Sequence, residues 1–102
     1  MNNKINVAVL GSTGYVGMQL VELLSKHKYV NINFLGSESI QDDYLKNINN
    51  TKKFTNLPLL KNNKLFNPLS ADYVFLALPH GVSNNYVNDY FGKIKIIDLS
   101  AD

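Results

Sequence analysis

At 102 residues, with 45% hydrophobic, 18% charged and 11% aromatic content, the chain holds one ordinary folded domain and not two. It contains no cysteine, which excludes a disulfide scaffold, a Cys-ligated metal and a thiolate nucleophile among these residues, and no metal site is expected. No apolar run approaches the ~20 residues that span a bilayer, Met1 to Lys4 open no signal peptide, and the net charge of +2 comes with ten lysines and no arginine; the expectation is a cytoplasmic domain with neither membrane nor nucleic acid as partner.

Hydrophobic runs alternate with helical patterns along the chain. The β-branched run Ile5–Leu10 stops at Gly11 and predicts strand one. From Gly14 to Lys26, Val16, Leu20, Leu23 and Leu24 recur at helical spacing, with Gln19, Glu22 and Lys26 off that face. Lys26 to Lys28 suit the end of that helix. Residues 31–35 alternate polar and apolar before Gly36 and predict strand two. Residues 36–70 carry the weakest pattern, a short helix over Ile40–Ile48 and a short strand over Leu57–Leu60, where Pro58 is tolerated only at a sheet edge. Lys46, Lys52, Lys53, Lys61 and Lys64 gather there and read as a solvated loop rather than an anion-binding patch. Fifteen asparagines, with many Lys, Ile, Tyr and Phe, match the codons of an A/T-rich genome, so much of the Asn and Lys content is background. Asn49-Asn50-Thr51 is a glycosylation sequon in form only, since no secretory signal accompanies it.

Order returns at Tyr73–Leu78, an apolar run of the kind buried on both faces of a parallel sheet. Pro79-His80-Gly81 breaks it, and Ser83 is placed to cap a helix carrying Tyr86, Val87, Tyr90 and Phe91 on one side. Gly92 ends that helix, and residues 94–99 form the last strand. Strand, helix, strand, weak segment, strand, helix, strand describes an α/β fold, a doubly wound parallel sheet of Rossmann type.

The strongest motif is Gly11-Ser12-Thr13-Gly14-Tyr15-Val16-Gly17, a G-x-x-G-x-x-G between the first strand and the first helix. Its glycines permit a tight turn and close backbone approach, and the helix then offers free N–H groups and its positive end to a pyrophosphate. The bland alternative is a glycine turn without a ligand. A P-loop is excluded because no Gly-Lys-Ser/Thr follows. Glu38 lies about 20 positions past Gly17, where an acid reads the ribose hydroxyls of NAD; Ser37 and Ser39 beside it offer hydroxyls to the 2′-phosphate of NADP instead, with loop lysines supplying charge. Pro79-His80-Gly81 and Asp98–Asp102 lie past the ends of their strands, facing the nicotinamide end of such a cofactor. His80 reads either as an acid–base group or as a structural hydrogen-bonder. Ser100 and Asp102 read as contacts to the nicotinamide amide or substrate, or as caps of a following helix.

Three segments, residues 7–17, residues 74–83 and residues 96–102, together resemble the N-acetyl-gamma-glutamyl-phosphate reductases of arginine biosynthesis, within the semialdehyde dehydrogenase superfamily. The resemblance implies an NADPH-linked reduction of an acyl phosphate to an aldehyde through a thioester on a cysteine, in a full-length enzyme that is a homo-oligomer. Where family members carry Arg and a Gly-Lys pair after strand two, this chain has Glu38 and no Gly-Lys, so NAD stands beside NADP as a cofactor. The family's cysteine and assisting histidine lie beyond the Asp98–Asp102 segment. Residues 1–102 are therefore expected to be the cofactor domain of a longer reductase, truncated before the catalytic domain and inactive alone. With strand order 3-2-1-4-5 the last strand is an uncovered edge, which predicts weak stability and self-association.

An aspartate-semialdehyde-type dehydrogenase shares the glycine motif but fits the Pro-His-Gly and Asp98–Asp102 segments less well. A sugar-nucleotide epimerase needs Tyr-x-x-x-Lys, and none of the six tyrosines has Lys four residues on. A non-catalytic dinucleotide sensor fits the short, cysteine-free chain.

Overall fold

Side-chain alternation along β1 (Ile5–Leu10) divides the molecule into two packed layers. Val7 and Val9 enter one core with Val21, Ile32, Leu35, Leu45, Phe54 and Leu60, whereas Ala8 and Leu10 enter the other with Phe66, Val74, Leu76, Leu78 and Tyr90. The computed structural model describes residues 4–48, 54–79 and 81–100. The elements are β1, α1 (Tyr15–Ser25), β2 (Val30–Ser37), β3 (Leu60–Asn62), β4 (Tyr73–Leu76), α2 (Ser83–Tyr90) and β5 (Lys95–Asp98), with 3-10 turns at Leu45–Asn47, Asn63–Leu65 and Pro68–Ser70. All four strand pairings are parallel, in the order β3-β2-β1-β4-β5. Because the order reverses between β1 and β4, the crossover helices lie on opposite faces, α1 on the Val7 side and α2 on the Ala8 side. This is the doubly wound Rossmann-type sheet expected from the sequence.

Several local expectations are corrected. In α1 the buried residues are Gly17 and Val21, with Met18, Leu20 and Leu24 packed beside them. Val16 and Leu23, expected inside, are 48% and 69% exposed. Gly17 presses against the Gly11 carbonyl, and that contact sets the rotation of the helix. Ser83 is the first residue of α2 rather than its cap; Val82 precedes it and no side chain caps the helix. Tyr86, Val87 and Tyr90 pack on the sheet, but the helix ends before Phe91, which is 81% exposed. The helix expected over Ile40–Ile48 shrinks to the turn at Leu45–Asn47, and the edge strand falls at Leu60–Asn62, just past Pro58. Lys61 pairs with Asp42 at 2.8 Å in the solvated loop. The sequon, Lys52, Lys53, His80, Ala101 and Asp102 lie outside the described residues. No described helix is long and apolar enough to cross a membrane.

Candidate dinucleotide site at the carboxyl ends of the strands

The parallel sheet brings the ends of β1, β2, β4 and β5 to one side of the molecule, and backbone bonds tie them in sequence. Ser12 N–H donates to Gly36 O at 2.8 Å, Ala77 N–H to Leu10 O at 3.0 Å, and Leu99 N–H to Leu76 O at 2.9 Å. Beyond β1 the three glycines of the motif do different work. Gly11 has φ +79°, and a Cβ there would strike the Ala77 carbonyl. A Cβ on Gly17 would strike the Gly11 carbonyl and stand 2.9 Å from Ser12 Cα. At Gly14, which caps α1 with φ −77°, a Cβ would meet nothing nearer than Gly11 O at 3.5 Å. The fold thus requires Gly11 and Gly17 but not Gly14, whose outward face is open. No side chain caps α1 and no acid stands in its first turn, so its positive end is left without a side-chain partner. These features fit a pyrophosphate.

Ser12, expected among the ligand contacts, is fully buried, and its hydroxyl donates to Gly36 O at 2.8 Å. Thr13 Oγ1 and Ser37 Oγ share a hydrogen bond at 3.0 Å, and Ser37 Oγ also accepts from Ile40 N–H at 3.1 Å. Ser37, the last residue of β2, is fully buried, so of the three expected contacts there only Glu38 and Ser39 are exposed. Tyr15 and Val16 project from the start of α1, 79% and 48% exposed.

At the end of β4, Pro79 and Gly81 are exposed. Ser83 is buried beneath them, its Oγ 3.2 Å from Asp98 Oδ2 and 3.1 Å from Ser100 Oγ, and Ser100 N–H donates to Asp98 Oδ1 at 2.9 Å. One hydroxyl thereby joins the segments after β4 and β5.

One further residue belongs here that the sequence did not single out. Asn63, 3% exposed, brings its Oδ1 from the end of β3 to accept the Gly11 N–H at 3.1 Å. A Cβ on Gly36 would fall on that same oxygen, so the glycine at the end of β2 makes room for the brace. The only sequence signal was an Asn–Asn pair, hidden among fifteen asparagines. On Tyr86 of α2, burial first, then the carboxylates of Glu38 and Asp89, push the phenol up.

Comparison with known proteins follows the same outline. Residues 6–102 match the family model of the semialdehyde dehydrogenase NAD-binding domain. An N-acetyl-gamma-glutamyl-phosphate reductase of Campylobacter jejuni is 43% identical over 101 residues, 97% of this chain but 28% of that protein. A Thermococcus kodakarensis protein, provisionally named a LysW-L-2-aminoadipate/LysW-L-glutamate phosphate reductase, is 39% identical over 98 residues, covering 96% of this chain and 28% of its own length. Among solved structures, aspartate semialdehyde dehydrogenase of Candida albicans with NADP superposes with TM-score 0.75 at 23% identity, over 95% of this chain and 30% of that one. The chain therefore spans less than a third of the length of these relatives.

Proposed function

The chain belongs to the NAD-binding domain family of the semialdehyde dehydrogenases, and on that premise we propose that it is the cofactor domain of a reductase converting N-acetyl-gamma-glutamyl phosphate to the semialdehyde. The observation that carries the reading is the 43% identity to the Campylobacter reductase across nearly the whole chain. The bond network from Ser83 to Asp98 and Ser100 supports it, because it joins the two segments in which the sequence most resembles that family.

A bound nicotinamide dinucleotide supplies hydride. The chain's own residues hold and orient it. The open face of Gly14 and the leading N–H groups of α1 would take the pyrophosphate, with the exposed side chains of Tyr15 and Val16 beside them. Gly11, Gly17, Ser12 and Thr13 fix the turn from behind. Glu38 and Ser39 stand at the adenosine ribose, with Ser37 supporting them from the interior. Pro79, Gly81 and Ser100 border the nicotinamide end. With no cysteine among the 102 residues, the thiol that takes up the acyl group comes from a further segment of a longer, cytoplasmic, homo-oligomeric enzyme.

The test uses the full-length protein in the oxidative direction, with N-acetyl-glutamate semialdehyde, inorganic phosphate and NADP+ or NAD+. Reduced nicotinamide should form only when the semialdehyde and phosphate are both present. The Thermococcus relative, at 39% identity, supports a second reading in which the glutamate or aminoadipate is attached to a carrier protein. Turnover of a carrier-linked semialdehyde with none of the N-acetyl compound would select it, and turnover of aspartate semialdehyde alone would overturn both.

A further inference from the structure

We propose that Asn63 is itself a ligand of the dinucleotide, its amide nitrogen donating to an oxygen of the adenosine monophosphate half while its amide oxygen braces the glycine turn. The proposal rests on the dinucleotide reading of this site. Asn63 is 3% exposed, and the one hydrogen bond of its side chain among the described residues, Oδ1 accepting from the Gly11 N–H at 3.1 Å, uses only the acceptor end of the amide. An amide also carries two N–H donors, and Nδ2 finds no acceptor among the described residues. A sealed, unpaired donor would cost heavily. Yet among the described residues no buried side-chain nitrogen or oxygen lacks a partner. Nδ2 is therefore not sealed: it is the point at which an otherwise buried side chain meets solvent.

The place where it does so is fixed from three sides. Oδ1 lies on Gly11 at the first turn, a Cβ on Gly36 would fall on that same oxygen, and the Asn63 backbone follows directly on β3. The amide thus stands between the carboxyl ends of β1 and β2, on the β3 side. In a doubly wound sheet the pyrophosphate lies at the first helix and the adenosine ribose beside the end of β2, so the β3 side is the adenosine side. Ribose hydroxyls and the adjoining phosphate present acceptor oxygens there. A brace alone would need only an acceptor; the donor end has a use only if something outside the chain accepts from it.

The experiment is a fluorescence titration of the full-length protein with NADH, beside competition by adenosine 5′-monophosphate and by nicotinamide mononucleotide. Asn63→Asp keeps an acceptor for Gly11 and removes the donors. It should weaken NADH and adenosine monophosphate by about ten-fold or more, the loss of one donor to a phosphate or hydroxyl oxygen, and leave nicotinamide mononucleotide unchanged. Because the new carboxylate would itself repel a phosphate, and should the variant not fold, the unsubstituted protein labelled with 15N-asparagine and 15N-glycine decides: adenosine monophosphate should shift the Asn63 side-chain NH2 signals. An affinity for NADH within about two-fold of the unsubstituted protein, or NH2 signals that stay put while the Gly14 amide shifts, would reduce Asn63 to a brace and overturn the proposal. If the unsubstituted protein binds neither NADH nor adenosine monophosphate, and the Gly14 amide does not move, the dinucleotide reading itself fails and the proposal with it.

Discussion

Alanine at Gly14 and alanine at Gly17 separate ligand binding from folding within one motif. At Gly17 the new Cβ would overlap the Gly11 carbonyl and stand 2.9 Å from Ser12 Cα, all backbone atoms of the turn. Nothing there can give way without moving α1 off β1. Overpacking of this kind costs about 1–3 kcal/mol, and in a domain of this size each kcal/mol lowers Tm by roughly 4–8 °C. At Gly14 the Cβ would sit 3.5 Å from Gly11 O, an ordinary contact, and φ −77° suits any L-residue. Replacing a glycine in a conformation alanine can adopt restricts the unfolded chain and stabilises by about 0.4–1 kcal/mol. The same methyl, however, projects from the open side of the turn, where a pyrophosphate must approach the backbone. Gly14→Ala should therefore leave Tm unchanged or slightly raised while NADH affinity falls by about ten-fold or more. Gly17→Ala should lower Tm, with affinity following stability. Thermal unfolding without ligand and a binding titration read the two effects separately. Gly14→Ala with undiminished affinity would refute the assignment of that face to a ligand, and Gly17→Ala with an unchanged Tm would refute the steric argument.

Four further outcomes are expected. Glu38→Arg should raise the ratio of NADPH to NADH affinity by about ten-fold or more, because a guanidinium replaces the carboxylate at the ribose; an unchanged ratio would place the 2′ position elsewhere. Ser83→Ala should cost about 1 kcal/mol in urea unfolding and speed amide exchange at Leu99 and Ser100, whereas unaltered exchange would mean the Ser83 hydroxyl does not hold the end of β5. Burial first, then Tyr86 and Asp89, pushes the Tyr90 phenol up to about 12. Since the folded pKa lies above the unfolded value of about 10, the stabilisation is complete below pH 10 and is lost as pH rises toward 12. Ultraviolet titration should therefore show Tyr90 ionising last, together with alkaline unfolding. The 102-residue chain alone should bind the dinucleotide without oxidising any semialdehyde, and measurable turnover by it would contradict the need for a thiol from a further segment.

The parts of this fold legible in the sequence are those whose neighbours are close along the chain. Ile5–Leu10 reads as a strand because every side chain in it is apolar or alternates, and the glycine motif reads as a turn because strand and helix patterns flank it directly. The face of α1 was less legible, because hydrophobicity alone put Leu23 inside, whereas a backbone contact between Gly17 and Gly11 decides the rotation. Residues 36–70 resisted for a related reason. They are held by isolated apolar anchors, Leu45, Phe54, Leu60 and Phe66, and by single polar contacts such as Asn63 to Gly11, none of which has a periodic signature. Ser37 was legible as the end of a strand but its contacts were not, since its hydroxyl turns inward to Thr13 and Ile40.

Those inward bonds bear on how the site binds. A glycine-rich turn left to itself samples many conformations, and ordering it on binding would subtract from affinity. Here the turn is held at four points by groups outside the motif: Gly36 O on Ser12, Ser37 Oγ on Thr13, Asn63 Oδ1 on Gly11, and the Ala77 carbonyl packed over Gly11. The contacts come from β2, from the turn after β3 and from the end of β4, so the turn proposed to cradle the pyrophosphate is ordered in advance only when the whole sheet is assembled. Dinucleotide affinity and global stability are coupled at these braces and separable at Gly14. On the proposed reading, the motif's middle glycine is thus the position at which binding should change while the fold is left intact.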